Sequence, residues 1–167
     1  MSLVLSGDTG VSGNSGALIA GTAVASTSGT SIDFTSIPSW VKRITVMFNG
    51  VSLSGTSNPL IQIGAGSVTS SGYTARASYI AGTSVAETTF TTGFGIYSAT
   101  ATNSHTGHLT LTNLSGNTWI CSAVIGTTAT WFTTGVVALS GTLDRVRITT
   151  VNGTDTFDAG SINILYE

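Results

Sequence analysis

Two histidines stand close together in His105-Thr106-Gly107-His108. On a helix, imidazoles at i and i+3 share a face and can share a metal ion. On a strand the same spacing sends them to opposite faces, so one chain does not chelate. A polar strand edge or turn is the expectation here. Acids gather further on, at Asp144, Asp155 and Asp158, with Asn152 beside them. The stretch NGTDTFDAG offers several oxygens, which a hard cation requires, but it lacks the spacing of a calcium loop. Short Asp and Asn side chains in such a stretch serve turns by bonding nearby amides. Asp155 with Asp158, or Asp33 with another acid, are the few pairs that could flank a glycosidic bond. No serine-hydrolase elbow GxSxG occurs, and no phosphate-cradling GxxxxGK[ST] or GxGxxG. The chain is expected to be non-enzymatic, with no catalytic residues, no cofactor and no metal.

The aromatic residues offer a different chemistry. Amphipathic rings stack on sugar faces and suit wet recognition surfaces. Trp119 sits in an apolar run and reads as core. Trp131 and Phe132 are adjacent and cannot both face inward on a regular strand. Tyr73 and Tyr79 lie in a Ser-, Thr- and Gly-rich stretch that reads as loop, and Tyr97 follows it. Tyr73, Tyr79, Tyr97 and Trp131 are the candidate ligand-contacting residues, weighed against the packing role that aromatic side chains usually have. The adaptable loops are expected between Ile63 and Thr106, where Gly, Ser, Thr and Tyr dominate, as they do in paratopes.

Composition narrows the scaffold that must position these groups. The chain has 30 Thr, 23 Ser and 21 Gly among 167 residues, with one Lys and two Glu. Long unbranched helix formers are nearly absent, which favours strands. Five basic and seven acidic residues give a net charge of −2. No basic run is present to neutralise phosphates or hold an anionic membrane, so neither nucleic acid binding nor membrane insertion is expected. Hydrophobic residues make up 41% of the chain, too many for a disordered one. No segment reaches the length of a spanning helix, and the first residues lack the basic start of a secretory signal. The single Cys121 allows no intrachain disulfide, as suits synthesis in a reducing cytoplasm.

Residues 1–29 read as an attachment arm or linker, with short strands near Leu3–Leu5 and Leu18–Val24. From residue 30 to 167, short apolar runs alternate with turn signals. Ile44 to Phe48, Leu60 to Ile63, Leu109 to Leu111, Trp119 to Ile125, Trp131 to Leu139, Leu143 to Ile148 and Ile162 to Tyr166 all read as strands. Asn49-Gly50, Gly116-Asn117 and Asn152-Gly153 read as turns. A helical turn is allowed only near Pro38 to Val41. The spacing predicts an all-β fold of about eight to ten strands, an antiparallel sandwich of jelly-roll type.

Two long phrases carry a resemblance. Gly29 to Gly64 (GTSIDFTSIPSWVKRITVMFNGVSLSGTSNPLIQIG) and Leu139 to Glu167 (LSGTLDRVRITTVNGTDTFDAGSINILYE) are similar to the C-terminal domain of tail-fibre and related tail proteins of tailed bacteriophages and prophages. The opening MSLVLSGDTGVSG also resembles the start of such virion proteins. The resemblance implies a non-enzymatic β-rich appendage located in the virion tail. It implies a homotrimer, contacts with other virion tail proteins, and a bacterial surface glycan or protein as receptor. A purely structural tail or head decoration protein is the alternative, and a tail-associated glycan hydrolase is a more distant one.

Overall fold

The computed structural model describes residues 17–126 and 128–167, and before them only the pairing of β1 (Leu5–Ser6) with β2 (Gly10–Val11). Two short strands follow, β3 (Ile19–Ala20) and β4 (Val24–Ala25), then β5 (Ile32–Phe34) and the long β6 (Arg43–Leu53). Next come β7 (Pro59–Ala65), β8 (Ser67–Val68), β9 (Thr74–Ala81), β10 (Ser84–Phe90) and β11 (Phe94–Gly95). The chain closes with β12 (His105–Ser115), β13 (Thr118–Gly126), β14 (Thr130–Ala138), β15 (Arg145–Thr150) and β16 (Phe157–Tyr166). Nine of these strands run six residues or longer, and the described residues contain no helix.

The fold is an all-β sandwich of antiparallel sheets. The large sheet runs β10-β9-β14-β13-β12-β6-β16-β3, with β4 also on β16. The small sheet runs β11-β7-β15-β5, with β8 on β7. Alternation along β13, and along β14 as far as Thr134, buries Trp119, Cys121, Ala123, Ile125, Trp131 and Thr133 and turns the intervening residues to solvent. All of these but Thr133 join Ile61, Ile63, Phe94, Val146 and Ile148 of the small sheet in one hydrophobic core, and the Thr133 hydroxyl donates to the Gly95 oxygen at 2.7 Å. Burial of apolar surface on this scale is the main force holding the sheets together.

Several expectations are corrected. Asn49-Gly50 does not turn the chain. Both residues lie inside β6, where Val51 pairs with His105 and Phe48 with Gly107, so β6 carries one residue more than β12. Gly50 has φ 63°. A left-handed glycine lets a strand absorb the extra residue as a bulge and keep its apolar side chains inward. Gly160 of β16 sits against it with φ 90°, and a Cβ there would lie 2.4 Å from the Gly50 carbonyl oxygen. Pro38 to Val41, by contrast, forms the single turn that the sequence allows there, closed by the Val41 amide on the Pro38 oxygen at 3.1 Å. The stretch Ile63 to Thr106, read as loops, holds the β9–β10 hairpin and β11. Its buried side chains in β9 are Ala75 and Ala77, too small to signal a strand, and they fit because Ala75 pairs with Gly135 and Ala77 with Thr133.

Of the segment 1–29, the strand expected at Leu3–Leu5 lies outside the described residues except at Leu5, in β1. β3 and β4 extend the large sheet at β16. The Gly21 amide bonds the Ile164 oxygen at 2.8 Å, and the buried Ser26 hydroxyl donates to the Ala159 oxygen at 2.7 Å. Residues 19–26 therefore belong to the sheet edge of the domain itself.

Candidate ligand-binding cleft

Tyr79 of β9 and Trp131 of β14 are direct partners across their ladder. Directly opposed residues put their side chains on one face of the sheet, here the inner one, because Trp131 is only 2% exposed. At this end of the core the chain leaving β11 passes over them and brings in Tyr97. Its ring centroid lies 5.5 Å from that of Tyr79, with the planes at 61°. The three rings, from three separate stretches of chain, wall an open cleft of about 360 Å3. Trp131 forms its floor, while Tyr79 and Tyr97 form a half-buried corner.

Polar groups complete the rim. Asn103 Nδ2 donates to Ser98 Oγ at 2.8 Å, and Thr128 Oγ1 donates to Asn103 Oδ1 at 3.3 Å. Ser98 is itself pinned, its amide donating to Asn58 Oδ1 at 2.8 Å. A carboxamide has two donor hydrogens and two acceptor lone pairs, and these two bonds leave Asn103 with one of each. The described residues lining the cleft include no Asp, Glu, Lys or Arg.

Behind the floor lies His105, 2% exposed, with its ring 5.1 Å from that of Trp131. Its Nδ1 is 2.9 Å from the Val51 carbonyl oxygen. A carbonyl only accepts, so Nδ1 carries the hydrogen and Nε2 is a bare lone pair. That Nε2 is buried and has no hydrogen-bond partner among the described residues. Burial, opposed by the bond to Val51, holds the imidazole below its ordinary pKa of 6.5. His108 is exposed and turned to the other face, as the strand spacing requires.

Tyr73, the fourth candidate, is not in the cleft. It is buried at 3% exposure, edge-on to Phe94 at 5.0 Å. Its hydroxyl accepts from the Ile63 amide at 2.9 Å and donates toward the Thr69 oxygen at 3.1 Å. Burial pushes its pKa up to about 12. Tyr73 is thus a bracket between β7 and β9, and no ring of it reaches solvent for a ligand. Phe132, next to Trp131, points out of the sandwich at 38% exposure.

The acidic residues hold turns and strands. Asn152 Oδ1 accepts from the amides of Thr154 and Asp155 at 3.0 and 3.2 Å. Asp155 accepts from Asn152 Nδ2 and the Ser57 amide, both at 2.8 Å, and these bonds hold its carboxyl below the usual range. Asp158 is bonded by the Ser52 hydroxyl, Asp33 pairs with Arg147 at 2.7 Å, and Asp144 pairs with Arg145 at 2.7 Å.

Ser98, Asn103 and Thr128 were not marked by the sequence. Hydroxyl and amide residues are so common in this chain that only their convergence on the three rings singles them out. The described residues thus define a two-sheet β-sandwich with an aromatic-walled cleft at one end, its described lining uncharged. No protein-family model, curated protein or solved structure matches the chain.

Proposed function

We propose that the chain is a non-enzymatic tail protein of a tailed bacteriophage, a fibre or tip, that contributes to attachment by presenting this cleft to a receptor on the bacterial surface. The observation that carries the reading is the convergence of Tyr79, Tyr97 and Trp131 on the Ser98–Asn103–Thr128 group. Ring faces beside a fixed amide are what a sugar offers hydrogen bonds and stacking to. The two phrases that resemble phage tail proteins also pair with each other. β6 lies against β16, and β15 lies between β5 and β7. Every ring of the cleft comes from the stretch between those phrases. A scaffold of that kind, carrying a separate recognition stretch, suits a receptor-binding appendage. Weak single sites would be amplified by a homotrimer and by several copies per virion.

The test is retention of labelled protein on a panel of bacterial strains, with its mass measured by light scattering in the same buffer. Saturable retention by a trimer, lost on Tyr97→Ala, is expected. Periodate treatment of the cells should abolish it if the receptor is a glycan, and protease treatment if it is a protein. Retention that Tyr97→Ala leaves intact would remove the cleft from the reading.

A purely structural tail or head decoration role is favoured by one observation. Val124 and Phe132 are cross-strand partners on the outer face of the large sheet, and both are exposed. That role predicts incorporation into virions with no retention on any strain.

A further inference from the structure

We infer that the cleft takes one neutral 2-acetamido sugar residue, in preference to a plain hexose or an acidic sugar. The inference rests on the receptor-binding reading of the cleft and narrows its ligand. Three features select this class. First, no described charged side chain lines the cleft, so a carboxylate or ammonium would lose its water and gain no ion pair. Second, Tyr79 and Tyr97 meet at 61° with centroids 5.5 Å apart. Two parallel rings that close offer no room between them, whereas an open corner over the Trp131 floor seats the apolar face of one pyranose on one ring. Third, the cleft holds both halves of an acetamide's complement. Ala81, Ala99 and Ala129, whose only side-chain group is a methyl, line it beside the rings. Among the described residues, Asn103 retains one donor hydrogen and one lone pair after its bonds to Ser98 and Thr128. A planar acetamido group matches this pairing, its N–H and C=O to the carboxamide and its methyl against alanine and aromatic carbon. A hydroxyl in its place fills neither the methyl contact nor both amide bonds. One buried methyl and one net hydrogen bond amount to about a tenfold preference.

The inference is tested on the full chain by titrating methyl glycosides of N-acetylglucosamine, N-acetylgalactosamine, glucose and galactose, and N-acetylneuraminic acid, following intrinsic fluorescence and calorimetric heat. An acetamido sugar should bind about tenfold more tightly than its parent hexose, and N-acetylneuraminic acid should not bind measurably. Tyr97→Ala should abolish binding, and Tyr97→Phe should retain it. Asn103→Asp keeps the shape but replaces the carboxamide donor, and should erase the preference over hexose. Asn103 also braces the rim, so Ala99→Val, which narrows the methyl niche and leaves the network whole, is the second variant and should erase it too. Equal binding of hexose and acetamido sugar overturns the inference, as does binding that ignores Tyr97→Ala or an absence of binding by every sugar. The two readings fail separately. Cell retention without sugar binding sinks the acetamido assignment alone, and sugar binding without retention on any strain sinks the tail-attachment reading alone.

Discussion

Two regions of the sandwich use polar side chains in opposite ways. In the Asn152–Asp155 turn the side chains are engaged on several sides. Asn152 accepts two amides and the Thr150 hydroxyl at 2.8 Å, and Asp155 ties the turn to Ser57 across the sheet end. On the cleft rim Asn103 keeps spare hydrogen-bonding capacity among the described residues, and behind the floor the buried His105 Nε2 has no partner among them. Stability comes from polar groups that are satisfied internally, and recognition needs groups that are not. The first region belongs to the chain phrases that pair with each other, and the second to the stretch between them.

The comparison can be broken or sharpened by four measurements. The largest effect belongs to Trp131→Ala, which removes the cleft floor and opens a cavity over His105. It should lower unfolding stability by about 3–5 kcal/mol in urea titration. A loss below 1 kcal/mol, in order-of-magnitude terms, would mean that the cleft end does not depend on its floor.

The second effect is a pH dependence. The pKa of His105 is depressed in the folded protein below 6.5. The unfolded chain therefore takes up the proton first as pH falls. The stability that His105 leaves intact above pH 6.5 is lost progressively below it, by at most about 1.4 kcal/mol per pH unit. His105→Leu should flatten the urea midpoint between roughly pH 7 and 5. The turn responds in another window. Asp155 is held below 3.8, so its contribution persists above that pH and is lost only as pH falls from there toward the folded-state value. A common acid transition for both regions would contradict the contrast.

Third, Asn152→Ala removes the acceptor for two turn amides and should cost about 1 kcal/mol, read from the shift in urea midpoint, with no effect on the cleft. The smallest change is expected for Phe132→Ala, whose ring already faces out, at no more than about 1 kcal/mol. A larger cost for the assembled form than for the monomer would show that this outer face is covered by another subunit.

Much of the architecture was legible in the chain, for reasons that can be traced to residues. Alternation in Ile44–Phe48 and Leu143–Ile148 announced strands, because a half-buried ladder repeats every two residues, and the short apolar run Trp119–Ile125 announced another. The adjacency of Trp131 and Phe132 announced one ring in and one out. The turn at Asn152 was legible because short amide side chains bond their own backbone. The β9–β10 hairpin was not, since Ala75 and Ala77 are apolar enough to bury yet too small to stand out. Asn49-Gly50 misled because a left-handed glycine serves a tight turn and a strand bulge equally well, and only pairing with β12 and β16 distinguishes them.

The candidate site divides along the same line. Composition and periodicity determined an all-β chain of low charge, and they identified aromatic rings as its distinctive chemistry. They did not say that Tyr73 would be spent as a bracket under β7 while Tyr79, Tyr97 and Trp131 would meet. They also did not say that Ser98, Asn103 and Thr128 would be held beside those rings. Side-chain pattern is local and survives in the sequence, whereas a cleft is made by strands distant in the chain. Which rings share it is decided by the register of β14 on β9 and by the path of the chain after β11.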